Sequence, residues 1–164
     1  MDTTDRWSEG ATDYVELRFG PRWTYISCVR KFVAGFFLIG LSDKERAEQI
    51  SLAASELLEN AVKYSSDEEA GLYVRVARRG DEVDVSVRNP ATAEQMAVLR
   101  REFALINSGN PEEVYLRRME EAAQTQSQSR LGLIRIRYEG QAVLRLELLE
   151  REVCIHAVFQ LVEA

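Results

Sequence analysis

The chain has 164 residues, enough for one domain with a sizeable core, and 46% hydrophobic with 29% charged residues is the composition of a globular protein. A formal net charge of −6 excludes a protein built around nucleic-acid phosphates, which need a basic face. The longest apolar stretch, Phe32 to Leu41, is too short to span a bilayer. With no secretory signal ahead of Cys28 and Cys154, the expected location is a reducing cytoplasm.

In chain order, residues 1–12 are polar and read as a flexible N-terminal arm, with residues 13–164 forming a single domain. Tyr14 to Phe19 alternates Val15, Leu17 and Phe19 with Tyr14, Glu16 and Arg18, the pattern of a strand broken by Gly20-Pro21. Trp23 to Ile39 is dense in apolar residues and reads as a buried helix ended by Gly40, with Trp23, Ile26, Val29, Val33 and Phe36 as core.

The next helix, 43–64, is the centre of the reading. Ile50, Ala53, Ala54, Leu57, Leu58 and Ala61 follow the spacing of an amphipathic helix, with Ser42 and Glu45 as its capping box. Glu56 and Asn60 lie one turn apart on a shoulder of the apolar stripe, Tyr64 continues their row, and Lys63 sits just outside it. Such a pair suits Mg2+ coordination and the orientation of a phosphate or water; spacing alone equally describes a helix whose polar shoulder faces solvent.

Ser65 to Gly71 is an acidic, turn-rich connection. Leu72 to Arg78 and Glu82 to Asn89 then make a hairpin about Arg79-Gly80-Asp81, ended by Pro90. Asn89 shares the parity of Val83, Val85 and Val87 and should point toward the helix layer. Residues 92–107 and 111–126 read as helices split by Asn107 to Pro111, and Gln124 to Ser129 as a polar, mobile stretch. Leu131 to Tyr138 is a short helix by pattern, although its branched residues also permit a strand. Strands 142–149 and 153–162 follow, the last with apolar residues on both faces, Cys154, His156, Val158 and Val162 against Ile155, Ala157, Phe159 and Leu161. That suggests self-association through an uncovered sheet face. Two distant cysteines and one histidine make no zinc motif, and His156 reads as a packed residue. Together these elements predict an α+β two-layer sandwich, a mixed, mostly antiparallel sheet with helices on one face.

The stretch Glu56-Leu-Leu-Glu-Asn60-Ala-Val-Lys63-Tyr64 resembles the N box of the GHKL ATPase superfamily, the Bergerat fold of histidine-kinase catalytic domains and gyrase. Length and flanking elements are most similar to the bacterial anti-sigma-factor serine kinases. The resemblance implies Glu56 as base or water-orienting group, Asn60 as Mg2+ ligand, and Lys63 beside the phosphates. It also implies an adenine contact from the strand after the N box, where the family carries Asp-x-Gly-x-Gly. Here that place reads Asn89-Pro90-Ala91, without either glycine. An Asn offers a weaker hydrogen bond than a carboxylate, and a proline ring with a Cβ fills backbone that should approach the base. The phosphate-cradling glycine box is matched by Ser129-Arg130-Leu131-Gly132-Leu133, with Arg130 as a phosphate partner and Gly132 at a helix start. Residues 91–130 take the place of the ATP lid but are more helical than glycine-rich, which suits a fixed cover or a partner surface.

Two functions follow from the resemblance. One is a regulatory protein of the anti-sigma-factor, partner-switching kind with weak or lost binding of ATP and Mg2+, acting on a sigma factor or a STAS-like antagonist. The other is an active Mg-ATP-dependent serine/threonine kinase that phosphorylates such a partner, with Glu56 as base. A histidine kinase is disfavoured, since the sole histidine lies in a late strand. A homodimer is expected in either case to use the open sheet face, and neither reading involves nucleic acid or a membrane.

Overall fold

Residues 10–65, 70–125 and 131–161 are described by the structure, a computed structural model of the chain. Most of the N-terminal arm, the middle of the 65–71 connection, the end of the Gln124 to Ser129 stretch, Arg130 and Val162 lie outside the described residues. The elements run β1 (Asp13–Phe19), α1 (Trp23–Gly40), α2 (Lys44–Tyr64), β2 (Leu72–Arg79), β3 (Glu82–Pro90), α3 (Ala93–Ile106), α4 (Pro111–Thr125), α5 (Gly132–Tyr138), β4 (Val143–Leu148) and β5 (Glu152–Gln160).

The strands form one sheet in the order β1-β2-β3-β5-β4. Every neighbouring pair is antiparallel, where the sequence had allowed a mixed sheet. The connections explain this. Gly80 and Asp81 alone separate the paired residues Arg79 and Glu82, and Gly80 takes a φ of +56° that suits a tight hairpin. β4 takes the edge, so β5 turns back between it and β3 and needs no crossover helix of its own.

Alternation sorts the sheet into two faces. Leu72, Val74, Val76, Val83, Val85, Val87, Leu144, Ala157 and Phe159 are buried on the helix side. The architecture is the expected α+β sandwich with its helices on one face. α2 supplies the other half of the core, packing on β3, α1 and α5. Its buried residues include Ala47, Ile50, Ala53, Ala54, Leu57, Leu58 and Ala61, with the alanines allowing close approach of neighbouring backbone. Burying one leucine such as Leu58 contributes about 1.5–3 kcal/mol.

Two local expectations are corrected. The N-cap of α2 is Asp43, whose carboxylate accepts from the Arg46 amide at 3.0 Å, and not Ser42, because the helix begins at Lys44. On α1 the buried line is Ile26, Val29, Val33 and Phe37. The helical period selects Phe37 over Phe36, which is half-buried and meets Phe37 edge-on at 5.3 Å. Trp23, in the first turn, is 57% exposed.

Among the described residues no helix lies on the other sheet face, and side chains there pair with one another. Tyr73 donates to Glu16 at 2.8 Å, Arg75 lies 3.4 Å from the same carboxylate, and Arg88 approaches Glu152 at 3.7 Å. Cys154, His156 and Val158 are nevertheless buried there. Tyr14 and Val143 are exposed on this face, and Trp23, Tyr25, Phe32, Leu38 and Ile39 are exposed on α1.

Candidate functional site

α2 carries three of the residues singled out by the sequence, and the structure turns them in different directions. Glu56 opens onto a groove of about 380 Å³ between α2 and α5, lined also by Arg30, Glu48, Gln49, Arg135 and Glu139. Arg135 donates to its carboxylate at 3.2 Å. Burial, then the like charge of Glu59, raises the Glu56 carboxyl above its ordinary pKa against the pull of Arg135. Gly132 closes in from the other side: a Cβ built on it would stand 2.2 Å from Glu56 Oε2. The glycine at the start of α5 therefore leaves room for the Glu56 carboxylate.

Asn60, one turn on, faces a different space. It lines an apolar pocket of about 240 Å³ with Tyr64, Glu94, Gln95, Val98, Leu99, Glu102 and Leu133. Behind that pocket a gap of only about 10 Å³ separates Asn60 from Asn89, Ala91 and Val153. Asn89 does point to the helix layer and is buried, but its amide donates to the Pro90 carbonyl at 2.8 Å. Lys63 is exposed, its ammonium 5.3 Å from the Tyr64 ring centre, and lines neither space. The site thus brings together Glu56 with Gly132, and Asn60 with Asn89, as two separate pairs.

Gln95 is the residue that sequence reasoning missed. Thr92 caps α3, accepting from the Gln95 amide at 3.2 Å, while Gln95 Oε1 accepts from the Thr92 amide at 2.8 Å. The same Gln95 side chain donates to the Tyr64 carbonyl at 2.9 Å. One side chain both caps α3 and ties it to the end of α2, over the space between Asn60 and Asn89. The signal was present as Thr92-x-x-Gln95, a capping box directly after the strand.

The described part of the helical insert is held by further contacts. Arg137 donates to the Ile106 carbonyl and, at 3.1 Å, to that of Gly109, holding the turn between α3 and α4. Arg118 pairs with Glu102 at 3.3 Å, and Tyr115 stacks on Tyr138 with ring centres 4.8 Å apart. Arg135 and Arg137, like Gln95, matter through contacts far away in sequence. The alternating Ile-Arg-Ile-Arg run of α5 gave no sign of what they would meet.

No family model matches the chain, and no curated protein matches it in sequence. In fold it is similar to a chain of the SiaB–SiaC complex from Pseudomonas aeruginosa, known from a crystal structure. The two are 16% identical with a TM-score of 0.71, over 95% of this chain and 94% of that one. At that identity the likeness speaks for the fold.

Proposed function

We propose that this chain is a regulatory protein of the GHKL type that works by binding another protein in a partner-switching system, with nucleotide binding weak or lost. The observation that carries the nucleotide half is the seat of α3. Gln95 anchors it to Tyr64, leaving about 10 Å³ between Asn60 and Asn89, where the resemblance puts the adenine. Ligand pockets run to about 300–1,000 Å³, so neither this gap nor the adjoining 240 Å³ pocket suits a whole nucleotide. Asn89 already spends its amide on Pro90, and the groove of Glu56 sets Glu45, Glu48 and Glu139 against Arg30 and Arg135, a net negative lining that disfavours phosphate.

The partner-binding half is supported by the fold likeness to a chain solved together with a second protein, and by the fixed, exposed insert. A sigma factor or a STAS-like antagonist is the class of partner we propose. No helix among the described residues is long and apolar enough to cross a membrane, which accords with the cytoplasmic location we propose.

One observation favours a second reading, a Mg-ATP-dependent serine/threonine kinase. Glu56 and Asn60 remain one turn apart, and a carboxyl raised by burial is suited to accept a proton from a substrate hydroxyl. Bound Mg2+ would neutralise phosphate charge; Asn60 would hold it, while Glu56 received the proton. Titration calorimetry with Mg-ATP separates the two. The regulator should give no heat, or binding in the millimolar range. Micromolar binding that Asn60→Ala abolishes would overturn that reading in favour of the kinase. Gel filtration with STAS-like proteins and sigma factors of the same cell then tests the partner, with co-elution expected.

A further inference from the structure

We propose that Glu147, Cys154 and His156 form a binding site for a divalent zinc-class metal ion on the open face of the sheet, with Asp84 as the carboxylate behind the histidine. The inference is independent of the nucleotide question, because these residues lie on the sheet face opposite α2 and Asn60.

The sheet register builds the site. Cys154 and His156 are two apart on β5 and share a face, and Glu147 on β4 is the cross-strand partner of Cys154. One thiol sulfur, one imidazole nitrogen and one carboxylate oxygen lie within 4.8 Å of one another. Zinc bond lengths of about 2.0–2.3 Å require tetrahedral ligand atoms roughly 3.3–3.8 Å apart. His156 Nε2 and Glu147 Oε2 already stand at 3.7 Å, and the Glu147 side chain, 41% exposed, has freedom to close the remaining gap.

The second layer of contacts supplies the stronger argument. His156 Nδ1 lies 3.0 Å from Asp84 Oδ2, across the β3–β5 pairing. That carboxylate holds a proton on Nδ1, so an incoming ion displaces the Nε2 proton and takes the lone pair on the side of Glu147, the carboxylate–histidine–metal arrangement that orients a ligand and raises its basicity. Cys154 and His156 are 8% and 7% exposed, so both are positioned before any ion arrives. A thiolate with an imidazole selects zinc or a similar ion over Mg2+ or Ca2+. Two anionic ligands balance the ion, and Asp84 adds a third negative charge. Of the cations on this face, buried Arg75 lies in the row of His156 with Glu16 at 3.4 Å, Arg88, opposite Cys154, turns to Glu152 at 3.7 Å, and Arg145, opposite His156, is exposed to solvent. Three protein ligands leave the fourth position for water.

The test uses untagged, chelator-stripped Cys28→Ser protein, in which Cys154 is the only thiol. Titration with CoCl2 should give a thiolate-to-cobalt charge-transfer band and the intense visible bands of tetrahedral cobalt, saturating at one equivalent. One equivalent of ZnCl2 should displace them and raise the melting temperature, with proton release. Asp84→Asn should keep the thiolate band while weakening affinity about 10–100-fold. Cys154→Ser and Glu147→Gln should lose the tetrahedral spectrum, with circular dichroism confirming that they fold. No charge-transfer band in the Cys28→Ser protein overturns the site, and that result stands even if Cys154→Ser fails to fold. Cobalt or zinc binding that survives Cys154→Ser and Glu147→Gln overturns it equally.

Discussion

Two charged side chains show how burial and partners compete at the residue scale. Glu56 has its carboxyl pKa raised, mainly by burial, despite Arg135 at 3.2 Å. A folded-state pKa above the unfolded one gives stability that is present below the unfolded value and lost as pH rises through the folded one. At pH 7 the ionised carboxylate is thus a net burden on the fold, and Glu56→Gln should leave the melting temperature unchanged or raise it. A clear drop would show that the ion pair with Arg135 holds the fold together. His156 has the same sign and a larger effect. Burial pulls its imidazole pKa down, but hydrogen bonds to Asp84 and Cys154 more than offset this and bring it to about 10, against 6.5 in the unfolded chain. In chelator-treated protein its contribution is complete below about pH 6.5 and is lost on the way to pH 10. Denaturant melts from pH 6 to 10 should show a decline that Asp84→Asn largely removes.

At the scale of elements, the position of α3 governs access to Asn60. Thr92 and Gln95 cap it reciprocally, and Gln95 anchors it to Tyr64. Gln95→Ala should cost about 1 kcal/mol, the usual worth of a cap, and speed hydrogen exchange in the first turn of α3. If the covered-site reading is right, the same variant should bind Mg-ATP better than the parent protein. A strengthening seen only with Asn89→Asp and Ala91→Gly would place the obstacle in the strand end instead.

At the scale of the whole molecule, α2 ties the two layers together, meeting the sheet on one side and α1 and α5 around it. Leu58 is fully buried there, so Leu58→Ala should cost about 2–5 kcal/mol and lower one cooperative unfolding transition. Calorimetry showing a separate early transition for α3 to α5 would instead mean that the insert has a core of its own. Self-association also belongs to this scale. The open sheet face carries ion pairs but exposes Tyr14 and Val143, while α1 exposes Trp23, Tyr25, Phe32, Leu38 and Ile39. We propose that a dimer uses the sheet face: light scattering should then show a dimer that Val143→Glu dissociates, whereas dissociation by Phe32→Glu alone would place it on α1.

Local pattern was enough to determine the elements. Alternation at 72–79, 82–90 and 152–160 and the apolar period of α2 are properties of neighbouring residues, and the strands and helices fell where those periods placed them. The parity of Asn89 with Val83, Val85 and Val87 likewise told its direction in advance, since a strand leaves only two faces. Tertiary structure decided what those directions meet. Glu56 and Asn60 share a helix shoulder, yet α5 and α3 arrive between and above them and assign each to its own space. Gln95 reaching Tyr64, Arg135 reaching Glu56 and His156 reaching Asp84 join residues 31, 79 and 72 positions apart. Periodicity carries no information over such separations, because which strands and helices become neighbours is settled only when the whole core packs at once.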